Sequence, residues 1–123
     1  MDNSIMVQAL GELVGTFILV LLGDGVVAGV SLAKTKANGA GWIAITLGWG
    51  FAVTLGVYAS AFMGPAHLNP AVTLAFAIIG KVSWSVVLPF IIAQTDWGLS
   101  WGQSLSGFNT THIGKRQMTN QRF

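Results

Sequence analysis

Cysteine is absent from this sequence and charge is scarce. Without cysteine there is no disulfide framework and no thiolate metal site. Charged residues fill 8% of the 123 positions, against about 25% in an ordinary soluble domain, so long stretches of the chain never meet water. Two histidines and four acidic residues are too few and too scattered for a hydrolytic or metal centre. Neither enzyme chemistry nor a cofactor is expected. The net charge of +2 does not mark a nucleic-acid-binding face: Lys115, Arg116 and Arg122 gather near the end of the chain, and no basic stripe interleaves with aromatics. No basic residue precedes the first apolar run, which is also too long for the apolar core of a cleavable signal.

What the chain has is apolar length. Residues 6–32 carry only Glu12 and Asp24 as charges. A bilayer core of roughly 30 Å takes about 20 helical residues, so this run spans a membrane with length to spare. A polar, glycine-rich turn, "SLAKTKANGAG", leads to residues 42–62, which hold no charge and make a second span. The next stretch, "MGPAHLNPAVTLAFAIIGK", behaves differently. Gly64, Pro65, His67, Asn69 and Pro70 rule out regular helix in its first part. Residues 70–79 are apolar but rise only about 15 Å as helix, half a bilayer. This predicts a re-entrant half-helix, with Lys81 returning the chain to water. A third span begins near Trp84 with "WSVVLPFIIA" and breaks off at Gln94; beyond it, polar residues run on without a period of 2 or 3.6. The expected architecture is an all-α membrane protein: two transmembrane helices, a re-entrant half-helix and a truncated third helix over residues 1–94. Residues 95–123 are expected to form a disordered polar tail.

The chemistry centres on His67-Leu68-Asn69-Pro70-Ala71-Val72-Thr73. Non-helical backbone at membrane depth survives only where protein covers it or it lines a watery cavity. The carbonyls from Pro65 to Leu68 are therefore expected to face such a cavity as a row of acceptors. Asn69 suits the N-cap and Pro70 the first helical position, where its missing N–H costs nothing. The Asn69 amide keeps an N–H to donate into the cavity, and the half-helix turns the positive end of its dipole there. A donor and a positive end together orient passing hydroxyls and repel protons and cations.

"GPAHLNPAVT", placed after two spans and before a third, resembles the first Asn-Pro-Ala box of the aquaporin/glycerol-facilitator superfamily. "GELVGTFILVLLGDGVVAGV" is similar to that family's first helix and "ITLGWGFAVTLGVY" to its second. The resemblance covers residues 1–94, the first half of a family member. Trp49-Gly50 leans toward the glycerol-conducting branch, in which the matching tryptophan gives the narrowest filter an apolar wall for a polyol's carbon chain. The resemblance thus implies Trp49 in the filter, Ala66, His67 and Leu68 as pore carbonyls, and Asn69 as central donor, with Pro70 and Ala71 completing the box. Glu12 matches the buried glutamate that braces the loop. It also implies a multi-pass protein of the cell membrane with a cytoplasmic N-terminus, assembled as a homotetramer in the bilayer and passing glycerol, small polyols and water. No second Asn-Pro-Ala box and no filter arginine is present, so this stretch alone is expected not to conduct. Two alternatives stand beside the glycerol reading: a water-selective pore, and a non-conducting fragment that pairs with a full-length channel.

Plainer readings accompany these residues. Trp49 by position alone fits a lipid-interface aromatic. A carboxylate inside a membrane, as at Glu12, by default marks a functional site, and the brace is preferred here because free loop N–H groups lie nearby. Asp24 suits a membrane edge. Gly11, Gly15, Gly48, Gly50 and Gly56 suggest close helix packing. The positive-inside rule would draw Lys34 and Lys36 to the cytoplasm, against the orientation the resemblance implies; two lysines opposed by Lys81 are the weaker argument.

Read one frame over, suitable codons for residues 96–121 yield an apolar helix ending in an aromatic, charged loop, similar to the family's third helix and the loop after it. The tail is thus predicted to arise from a one-nucleotide frameshift. Sequencing the DNA downstream of the Gln94 codon should reveal a long channel-like continuation in another frame, and its absence would refute the frameshift.

Overall fold

The computed structural model describes residues 3–100, 102–104 and 107, without the side chains of Trp97 and Leu99. Among the described residues four α-helices follow one another: α1 over Ile5–Ser31, α2 over Gly41–Ser60, α3 over Pro70–Ile78 and α4 over Trp84–Ile92, the last running into a π-helical stretch over Ala93–Leu99. No strand occurs among the described residues.

The 27 residues of α1 and the 20 of α2 are long and apolar enough to cross a membrane, about 40 and 30 Å at the α-helical rise. Ser4 caps α1 by accepting from the Val7 N–H. The turn between α1 and α2 closes on α1's own end: Asn38 Nδ2 and the Gly39 N–H both donate to the Val30 carbonyl. Gly39 and Gly41 reverse the chain at φ 79° and 80°, values that need no Cβ.

Along α2, Trp42, Ile43, Leu47, Phe51, Leu55 and Tyr58 are all exposed, Trp42 at 77% and Phe51 at 67%. A continuous apolar face of that size belongs against lipid or protein, not water. The inward side of the α1–α2 pair is built from small residues. A Cβ on Gly56 would stand 2.7 Å from the Gly15 carbonyl oxygen, and one on Gly15 would stand 2.6 Å from Ser60 Oγ, so the two backbones touch. Gly11 and Gly48 sit as tightly, against Met63 and Val26. Gly50 differs from the expectation of close packing, because no atom outside its own helix lies within 4 Å of where its Cβ would be.

The first α-helical part of the third span is only nine residues long. Pro89 lies inside it and removes one N–H from its hydrogen-bond ladder. From Ala93 the backbone changes pitch and does not leave the bundle. Gln94 donates to Glu12, Gly98 sits against Thr16 and Gly102 against Val20. Each step of four along the third span meets a step of four along α1, so the two run parallel. A Cβ at Gly98 would be 2.7 Å from Thr16 Cβ, and one at Gly102 would be 2.8 Å from Val20 Cβ. The Gly98-to-Gly102 spacing is the small-xxx-small pattern that lets membrane helices approach closely. The physical reason for the difference is that sequence polarity reports what a side chain carries, whereas here absent side chains make the contact. Of the disordered, frameshift-derived tail expected over residues 95–123, residues 95–100 and 102–104 are helical, and residues 101, 105, 106 and 108–123 lie outside the described residues.

Candidate functional site

Between α2 and α3 the chain folds inward without regular structure and then starts α3 at Asn69. Asn69 is extended (φ −154°, ψ 125°), and its Oδ1 accepts from the Ala71 N–H at 2.8 Å, with Pro70 beginning the helix. Among the described residues Asn69 Nδ2 has no partner, and the residue is exposed. The donor group is therefore turned out of the bundle.

The loop before Asn69 is fixed by one side chain. Glu12, 1% exposed on α1, accepts from the His67 N–H at 2.8 Å through Oε1 and from the Leu68 N–H at 2.6 Å through Oε2. Gln94 Nε2 adds a third donor to Oε2 at 2.9 Å. In every one of these bonds Glu12 is the acceptor, the role of a carboxylate. Two successive N–H groups converge on one anion, a nest built by left-handed residues in the chain. Ala66 and Leu68 supply them at φ 51° and 54°, an uncommon conformation for residues with a Cβ. In a planar trans peptide the carbonyl points opposite to the N–H. With the His67 and Leu68 N–H groups on Glu12, the Ala66 and His67 carbonyls must face away from it. The Leu68 side chain goes the other way, 6% exposed, into the gap left by Gly15 and Gly56.

The His67 ring is held on three sides. It stacks on Phe76 (5.0 Å between centroids, 4° between planes), meets Phe90 edge-on at 5.9 Å, and places Nδ1 3.1 Å from Thr73 Oγ1. Thr73, fully buried on α3, also accepts from Gln94 Nε2 at 3.0 Å. Gln94 therefore ties the third span to α1 and α3 through two bonds from one nitrogen.

The structure brings together Glu12, Ala66, His67, Leu68, Asn69, Pro70 and Ala71, and leaves Trp49 apart. The Trp49 ring lies over Gly23, eleven residues beyond Glu12 on α1 and so about 16 Å along the helix axis. Two levels result: a polar one at the braced loop and an apolar one at Trp49. Neither Gln94 nor the bracing role of Thr73, which lies within the motif, is legible in the sequence. Gln94 ended an apolar run and read as the end of a helix; its one signal was being a lone amide after ten residues without a charge.

Two long apolar helices, an inward-folded loop held on a buried carboxylate with its carbonyls turned away, and a half-helix packed on the third span define the class: a helical membrane protein with a half-helix between spans. The profile of the major intrinsic protein family matches residues 2–120, and the chain belongs to that family of membrane channels. It is 63% identical over 102 residues to glycerol uptake facilitator protein 3 of Lactiplantibacillus plantarum, covering 83% of this chain and 42% of that protein. It is 57% identical over 89 residues to the glycerol uptake facilitator protein of Streptococcus pneumoniae, covering 72% and 38%. Aquaglyceroporin-3 of Trypanosoma brucei brucei is 46% identical over 85 residues, covering 69% and 27%. The chain thus spans well under half the length of these relatives. No solved structure matches it.

Replacing Gln94 with leucine keeps the bulk but leaves Thr73 Oγ1 and Glu12 without their shared donor. A loss of about 1–3 kcal/mol in stability is expected, read as a lowered midpoint in denaturant with secondary structure retained. An unchanged midpoint would mean that Gln94 carries no bracing role.

Proposed function

We propose that this chain forms the first half of a pore for passive, energy-independent passage of glycerol and similar small neutral solutes, with water. The observation that carries the reading is the Glu12-braced loop. Two carbonyls turned off the carboxylate offer acceptors to a hydroxylated solute, and Asn69, exposed at the start of α3, offers a donor. Solutes with several hydroxyls exchange water for such groups at little cost, whereas a bare ion finds no opposite charge to replace its hydration. Trp49 adds an apolar surface at a separate level, suited to the carbon side of a polyol. The names of the relatives at 63% and 57% identity support glycerol as the solute.

In this reading Trp49 is the filter wall, Ala66, His67 and Leu68 present their carbonyls, Asn69 donates, and Glu12, Pro70 and Ala71 hold the arrangement. The N-terminus lies in the cytoplasm of a multi-pass membrane protein, and the intact channel is a homotetramer. The relative's remaining length, outside the 42% matched, supplies the other half of each pore.

The test is stopped-flow light scattering of vesicles. They carry this chain either alone or together with the part of the Lactiplantibacillus protein that it does not match. Glycerol-driven swelling above that of empty vesicles is expected for the pair. A rise in water movement without glycerol would favour a water-selective pore, and no rise in either would refute conduction.

A further inference from the structure

The Trp49 ring owes its place to a missing side chain on the neighbouring helix. A Cβ built on Gly23 would stand 2.5 Å from Trp49 Cη2 and closer still to Cε3 and Cζ3. All three atoms belong to the outer edge of the indole, so the ring lies flat against the α1 backbone where Gly23 is bare. The reverse contact lies beside it. A Cβ on Gly48, next to Trp49, would meet both Val26 methyl carbons at 2.7 Å. Val26 is one turn beyond Gly23, so the two helices interlock at this level through two glycines, each receiving the other helix's side chain. Gly25, two residues along α1, has open space instead.

We propose that Gly23 is a positioning residue that sets where the Trp49 ring stands and thereby the size of solute admitted at that level. The inference rests on Trp49 being the filter wall. With a methyl group at position 23 something must move. The Gly48–Val26 contact opposes further approach and already fixes the helix spacing, so the softer response is rotation of the indole, which is not fully buried, off α1. A ring displaced toward its open side narrows or reshapes any path bordering it, and a three-carbon polyol is affected more than water.

Four variants of the full chain test this, G23A, W49F, G23A/W49F and G25A, in the complemented vesicles described above and, labelled with indole ¹⁵N, in detergent micelles. The W49F spectrum assigns the Trp49 indole signal by its loss. In G23A that signal should move while the other tryptophans hold, and the ratio of glycerol to water flux should fall by about tenfold, the change that ~1.4 kcal/mol of barrier produces. The double variant should match W49F in flux ratio, since phenyl lacks the fused edge that meets Gly23. G25A should match the wild type in both readouts. If G23A alone folds poorly, recovery of folding in G23A/W49F supports the contact. An unmoved Trp49 signal overturns the proposal, and so does a moved signal with an unchanged flux ratio. Failure of the channel reading shows differently, as absent flux in the wild-type pair, and the indole spectrum then decides the positioning claim by itself.

Discussion

One buried carboxylate organises this fold. Glu12 sits 1% exposed in an apolar helix and takes the N–H groups of His67 and Leu68 and the amide of Gln94. A carboxylate removed from water without partners is costly, which is why buried charges are found hydrogen-bonded. The loop's N–H groups face the same penalty, having no helix to satisfy them at membrane depth. Each solves the other's problem. The result is a backbone held open, with its carbonyls turned where a solute could use them.

The brace also explains the left-handed residues. Ala66 and Leu68 would relax if nothing held them, since such conformations cost of order 1–3 kcal/mol each. Charge-assisted hydrogen bonds are worth roughly 1.5–3 kcal/mol each, so the carboxylate is strong enough to keep both residues in place. The Leu68 side chain adds to this by filling the gap between Gly15 and Gly56. Polar bracing and glycine packing thus meet at one residue: a methyl at either glycine would push Leu68, and with it the amide that Glu12 receives. α3 is nine residues long and too short to be stable alone; Asn69, Thr73 and the His67–Phe76 stack tie it to the loop.

Much of this was legible in the sequence, because apolar length and proline placement act locally. The two spans, the half-helix from Pro70 and the Asn69 cap follow from hydropathy and capping chemistry, and the structure has them within a residue or two. The Glu12 brace came from family resemblance joined to the argument that a buried carboxylate seeks donors. Gln94 and the role of Thr73 are not legible because a single amide or hydroxyl gives no periodic signal, and the partners of Gln94, Glu12 and Thr73, lie 82 and 21 residues away from it. The seam of Gly98 and Gly102 on α1 was missed for the opposite reason. A polar composition with tryptophans and glycines reads as loop until the facing helix is known. Gly50 shows the limit of such a signal, since glycine in a membrane helix marks close packing only where a neighbour arrives.

Amide exchange at His67 and Leu68 addresses the central claim most directly. In Glu12→Gln the side chain keeps its shape but offers one acceptor oxygen in place of two, and the charge is gone. Measured by NMR in micelles, at least one of the two amides should exchange faster by about tenfold or more, while α2 amides keep their wild-type rates. Wild-type rates at both His67 and Leu68 in the variant would contradict the account, because the loop would then be held by something other than Glu12.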